Sequence, residues 1–168
     1  AVQPPPQRSR APSPPPPEEI AIELDVGGGA LGSSTDDDGL ADAEAALEAM
    51  HSFRLAEAAL QRNDVAGAQK LAQKAVSGDP EQLDYVALLA WIRALDNAPG
   101  AVDEAIVTMT DVLAGDPASE RALLYRGKLL ARMNRVEEAL ADFRELLGSN
   151  PHHREAQAEV RQLEAKAT

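Results

Sequence analysis

The sequence predicts an all-α fold: a solenoid of three helix-turn-helix repeats closed by one further helix. Three observations lead there. Asp79-Pro80, Asp116-Pro117 and Asn150-Pro151 each end a run of two amphipathic patterns, with prolines 37 and 34 residues apart; a period near 34 is that of a two-helix repeat. Within the runs the apolar residues recur at helical spacing, as in Ala68, Leu71, Ala72, Ala75 and Val76, which form one stripe of a helix. The composition is 44% hydrophobic but only 3% aromatic, and a core dominated by alanine and leucine suits helices in close approach better than a sheet.

Residues 1–38 read as a disordered linker. Pro4–Pro6 and Pro14–Pro17 favour extended polyproline segments, Gly27–Gly29 is permissive, and Asp36–Asp38 is a solvated charge run. Inside it Ile20, Ile22, Leu24 and Val26 alternate with Ala21, Glu23 and Asp25, the two-residue period of an extended segment with one apolar face. Two readings stay open for residues 20–26: part of the linker, or a docking motif for a partner or for the domain's own groove.

The folded domain is expected over 39–168, with repeats at about 40–80, 81–117 and 118–151. A long first helix from Leu40 to about Arg62 offers Leu47, Met50, Phe53, Leu55, Ala58, Ala59 and Leu60 as its buried side. Asn63-Asp64 breaks it, and a second helix follows to Val76. Ser77-Gly78-Asp79-Pro80 ends that one, since glycine suits a left-handed cap and proline cannot continue. The second pair spans Leu83–Leu95 and Ala101–Ala114, and its longer turn, Asp96 to Gly100, accounts for the 37-residue spacing. The third spans about Glu120–Met133 and Val136–Leu147. A last helix, about 153–167, has only Ala156, Val160 and Leu163 on its apolar side, as a solenoid cap requires.

Charge and residue inventory narrow the function. The net charge is −12, yet residues 118–168 carry 9 basic and 8 acidic groups while residues 80–117 carry 1 and 7. That balance disfavours a nucleic-acid partner and leaves an acidic peptide free to use the basic third repeat. No apolar run nears the roughly 20 residues that cross a bilayer, so no membrane insertion is expected. The chain has no cysteine and three histidines, His51, His152 and His153, without the partners that a catalytic or metal site needs. No enzyme activity, cofactor or metal is expected. The absence of cysteine fits a reducing, cytoplasmic setting. The chain opens at Ala1 rather than methionine, from which a larger parent protein, with this domain as its C-terminal module, is expected.

The repeats resemble tetratricopeptide repeats. Gly127 stands where two helices cross, Ala139 holds the small position of the next helix, Phe143 the aromatic position after it, and Pro151 closes the unit. Ala68 and Ala105 hold the small position elsewhere, Ala72 and Met109 replace the aromatic, and Ala56 and Ala90 replace the glycine. The resemblance implies a right-handed superhelix whose concave groove binds a peptide or protein segment. The runs Tyr125–Leu130 and Asn150–Ala156 are also similar to the C-terminal repeats of bacterial multidomain J-domain proteins, which implies an association with chaperones.

In that family the first helix of each repeat lines the groove. The resemblance therefore assigns Met50, Phe53, Glu57 and Leu60, then Asp84, Ala87 and Trp91, then Arg121, Leu124, Lys128 and Arg132. The site residues expected to matter most are Phe53, Glu57, Trp91, Arg121, Leu124, Lys128 and Arg132. Arg121, Lys128 and Arg132 fall seven and four residues apart, on one helical face, either as a cationic wall for a peptide's carboxylates or as a solvated face. Trp91 is the only tryptophan and serves either as a plug between repeats or as a flat ligand contact. The two-carboxylate clamp of some tetratricopeptide domains needs basic and amide side chains where this chain has Phe53, Glu57, Leu88, Arg121 and Tyr125. Only Arg121 fits, so another binding mode is expected. The sequence supports an interaction scaffold first, and second a self-association module whose groove is filled by another copy or by Ile20–Val26.

Overall fold

The computed structural model describes residues 35–167 apart from Asn97. The expectations for residues 1–34, including the contact of Ile20, Ile22, Leu24 and Val26 with the groove, lie outside the described residues. Seven helices follow one another: α1 (Thr35–Gln61), α2 (Val65–Gly78), α3 (Leu83–Leu95), α4 (Ala101–Gly115), α5 (Glu120–Arg132), α6 (Val136–Ser149) and α7 (Arg154–Ala167). Among the described residues there is no strand. No helix of the described residues is long and apolar enough to cross a membrane.

Each helix pair turns at a residue with positive φ: Asn63 at 61°, Gly100 at 80° and Asn134 at 61°. Asparagine and glycine are the residues that adopt this left-handed conformation most readily. Three helices, α2, α5 and α7, are capped at their start by a side chain. Asp64 accepts from the Gly67 N–H at 2.8 Å, Ser119 from the Ala122 N–H at 3.3 Å, and the His153 Nδ1 from the Ala156 N–H at 3.2 Å. The histidine pair thus supplies the start of α7. The longer second repeat divides its three extra residues. Two lie in the turn before Gly100, and the third lengthens α4 to 15 residues against 14 for α6.

The small and large positions interlock as the residue types require. Ala56, Ala68, Ala72, Ala105, Met109, Ala139 and Phe143 are at most 3% exposed, and Ala90 is 7% exposed. The Phe143 ring lies against Gly127, where an added Cβ would come within 2.7 Å of it. The core is continuous along the stack, because α3 packs on α2, α4 and α5, and α5 packs on α4, α6 and α7. First helices touch one another, as α3 with α5 and α5 with α7. They form the inner, concave side, and α2, α4 and α6 stand outside.

Two expectations for α1 change. The helix starts at Thr35, so the boundary expected at residue 39 falls inside it. The sequence puts Asp36–Asp38 in its first turn, where acidic residues complement the positive end of the helix dipole. Its buried side is also different in part: Ala59 is buried as expected, but it is joined by Ala49, Ser52 and Ala56, while Leu47 and Leu55 are 62% and 40% exposed and Met50 41%. Small side chains let α1 lie close to α2, and Leu47, Met50 and Leu55 are turned outward.

Candidate functional site

The inner side of the stack carries an alternating column of rings and cations that crosses all three repeats. Tyr85 and Phe53 are tilted against each other with centroids 4.7 Å apart. The Arg121 guanidinium lies 4.8 Å above Phe53 and 5.9 Å from Tyr125. Tyr125 and Trp91 stack at 4.7 Å with planes 10° apart, and the Lys128 ammonium sits 5.6 Å over the Trp91 ring. Each cation faces a ring's electron-rich surface, an attraction that strengthens as water is removed. The half-buried Trp91 packs on the cores of the first and second repeats and lines a surface cavity. It is both plug and wall.

Arg121 is not available as a free cation. Its Nη2 is 2.8 Å from Glu57 and its Nη1 donates to the Tyr125 hydroxyl at 3.2 Å. Asp84 lies 3.8 Å from its Nε, beyond hydrogen-bond reach, which leaves that buried nitrogen without a bonded partner. Burial acts to lower the Arg121 pKa, but Tyr125 and Glu57 together outweigh it and hold the group above its ordinary value. Burial likewise pushes the Tyr125 phenol up, with Arg121 partly opposing it. Phe53, Glu57 and Arg121 therefore form one closed cluster between the first and third repeats.

Leu124 is 7% exposed and belongs mainly to the core of the third repeat. It still edges a cleft of about 200 Å³ with Glu120, Arg121, Tyr125 and His153. Lys128 and Arg132 lie farther along α5. They meet Trp91 in a second cleft of about 310 Å³, completed by Ala131 and, from α7, by Glu159, Gln162, Leu163 and Lys166. Lys128 also pairs with Glu155, and Arg132 donates to the Ala94 carbonyl at 3.4 Å.

The three cations expected to act as one wall are thus divided between two places. Arg121 is locked in the ring column, and Lys128 and Arg132 are joined by Lys166. Lys166 is the residue missed by sequence reading. The signal for it was the spacing of Glu159, Gln162, Leu163 and Lys166, which share a face of α7, but α7 had been assigned a covering role alone. Among the described residues no group of three histidine, aspartate or glutamate side chains could hold a metal ion.

The arrangement matches known architectures. Residues 121–153 match the sequence profile of the tetratricopeptide repeat. The fold is that of a tetratricopeptide-repeat domain. The TPR domain of Arabidopsis OM64 superposes with a TM-score of 0.61 at 20% identity, over 73% of this chain and 98% of that one. The first TPR domain of Spaghetti (RPAP3), bound to the HSP90 peptide SRMEEVD, gives 0.59 at 18% identity, over 73% and 96%. The Yersinia enterocolitica type III secretion chaperone SycD, in complex with a peptide of the translocator YopD, gives 0.53 at 17% identity, over 71% and 94%. No curated protein matches the chain in sequence. Within this tetratricopeptide-repeat fold, Arg121, the one residue that matches the clamp, is paired with Glu57 and lies over Phe53.

Proposed function

We propose that this domain is a non-catalytic interaction scaffold that holds an extended acidic peptide segment on its inner face, in the cleft between α3, α5 and α7. One observation carries the reading. That cleft is lined by three cations, Lys128, Arg132 and Lys166, and by the Trp91 ring beneath Lys128, with a single acid, Glu159, among its lining residues. A half-buried ring supplies apolar contact at little entropic cost, and the cations recognise carboxylates through charge-assisted hydrogen bonds. The Glu155 carboxylate beside Lys128 is half exposed, so a ligand carboxylate approaching from solvent can take its place on the ammonium. The complexes of Spaghetti and SycD with peptides support the use of this fold for peptide capture.

Peptides selected from a random library on the full chain test the proposal. Enrichment of aspartate and glutamate is expected, with affinity falling as salt is raised. Lys128→Glu/Arg132→Glu should weaken the selected peptides by at least about 150-fold, from the loss of two charged hydrogen bonds at about 1.5–3 kcal/mol each. Selection of peptides without acidic residues, or equal binding by the folded variant, would place the ligand elsewhere.

A further inference from the structure

The side of α1 turned away from α2 carries large apolar side chains that the described residues leave well exposed. Leu40, Leu47, Met50 and Leu55 are 64%, 62%, 41% and 40% exposed; Leu40 and Leu47 lie opposite the buried Ala49, Ser52, Ala56 and Ala59, with Met50 and Leu55 on their two flanks. Large exposed side chains gathered on one helix face mark an interaction surface. The start of α1 adds to this. Gly78, at the end of α2, lies against Ala45 and Ala49, so residues 35–44 project past the hairpin by about 15 Å. A helical extension of that length is marginal in water unless something packs on it.

The charge pattern of α1 selects the occupant. From Thr35 to Glu48 the helix carries six acids and no base, whereas Arg54 follows His51 towards its other end and Arg62 comes just past that end. The one acid there, Glu57, points to the inner side and pairs with Arg121. Glu48 is held by Lys74 of α2. Asp42, Glu44, Arg54 and Arg62 pair with no side chain of opposite charge among the described residues.

We propose that α1 is a homodimer surface on which a second copy of the chain packs its own α1 in antiparallel orientation. Leu40, Leu47 and Arg54 follow one another at seven-residue steps, and Ala43 and Met50 do so between them, the seam of a two-helix coil. Pairing centred between Leu47 and Met50 sets Leu47 of one copy against Met50 of the other. The same register sets Glu44 beside Arg54 of the second copy, and lays each projecting acidic end along the basic half of its neighbour. A parallel pair would instead oppose acid to acid and align the two helix dipoles unfavourably. The inner-face cleft takes no part in this contact.

Sedimentation velocity of the full chain over a range of concentrations tests it. The expected species approaches twice the 17.8 kDa chain mass and dissociates on dilution. Leu47→Glu/Met50→Glu should sediment as a monomer, with its helical circular dichroism retained. Arg54→Glu, at an exposed position, should weaken association about tenfold, and Glu44→Arg combined with Arg54→Glu should restore it. A wild-type chain that stays monomeric at high micromolar concentration overturns the proposal. So does a Leu47→Glu/Met50→Glu dimer, which puts the interface elsewhere. If Arg54→Glu is not rescued by Glu44→Arg, the antiparallel register is wrong.

Discussion

Phe143→Ala is expected to lower the stability of the domain by about 3–5 kcal/mol, the usual cost of emptying a large aromatic site in a core. Phe143 is fully buried, among Leu123, Leu130, Ala139, Leu146, Ala156 and Leu163. Its ring fills the space that Gly127 leaves open, so the two positions act as one. Gly127→Ala in the wild-type background sets a methyl within 2.7 Å of the Phe143 ring. The rigid ring cannot turn aside, and overpacking of this kind costs about 1–3 kcal/mol. Part is offset by alanine's helix propensity, worth up to about 1 kcal/mol over glycine. In the Phe143→Ala background the same change should become neutral or stabilising, because it then fills part of the cavity. Urea unfolding of the four proteins measures the coupling. Additive effects would show that the ring and the glycine are not in contact.

Arg126→Leu is the second change with a large effect. Asp142 is 3% exposed, and its carboxylate accepts from Arg126 Nε at 2.9 Å and Nη2 at 2.6 Å. Such a two-point bond fixes both groups across the third repeat. The Arg126 Nη1 also donates to the Thr110 hydroxyl at 3.2 Å, which ties in α4. Removing the guanidinium leaves a buried carboxylate uncompensated, at a cost of about 3–5 kcal/mol. The Asp142 bond is the first cause of a raised Arg126 pKa. Asp142→Leu should cost less, since Arg126 can reach water once released. The double change to leucines should recover much of the Arg126→Leu loss. A double variant as unstable as Arg126→Leu alone would mean that the pair contributes more than its own desolvation.

The helix pairs and most of their ends were legible because they rest on local chemistry; at Gly78 the expected left-handed cap is not formed, and α2 runs through it to Asp79. Three X-Pro closures, the Asn63, Gly100 and Asn134 turns and the small-to-large pattern at Gly127 and Phe143 each act within a few residues or within one repeat. The inner side of α1 was not legible in the same way. Reading large apolar residues as buried favoured Leu47, Met50 and Leu55, whereas close packing selected Ala49, Ser52 and Ala56 beside the expected Ala59. An alanine stripe carries a weak signal in a helix that is alanine-rich on several sides.

The site divided along the same line. Placement of Trp91, Lys128 and Arg132 on the inner face followed from repeat position. The closure of Arg121 depends on Glu57, 64 residues away, and on the stacking angle of the repeats, which no spacing in one helix reports. Lys166 joined the cleft for the same reason: α7 follows the path of α3 and α5 instead of only covering the end.

The position of the single tryptophan gives the most direct test of the proposed groove. Trp91 lines the cleft with Lys128, Arg132 and Lys166, so its fluorescence reports occupancy without any label. Titration of the full chain with an acidic peptide chosen by selection should shift and saturate that emission. The same titration with Lys128→Glu/Arg132→Glu should give no response at those concentrations. A peptide that binds by calorimetry yet leaves the Trp91 emission unchanged, or that shifts it equally in the variant, would contradict the account.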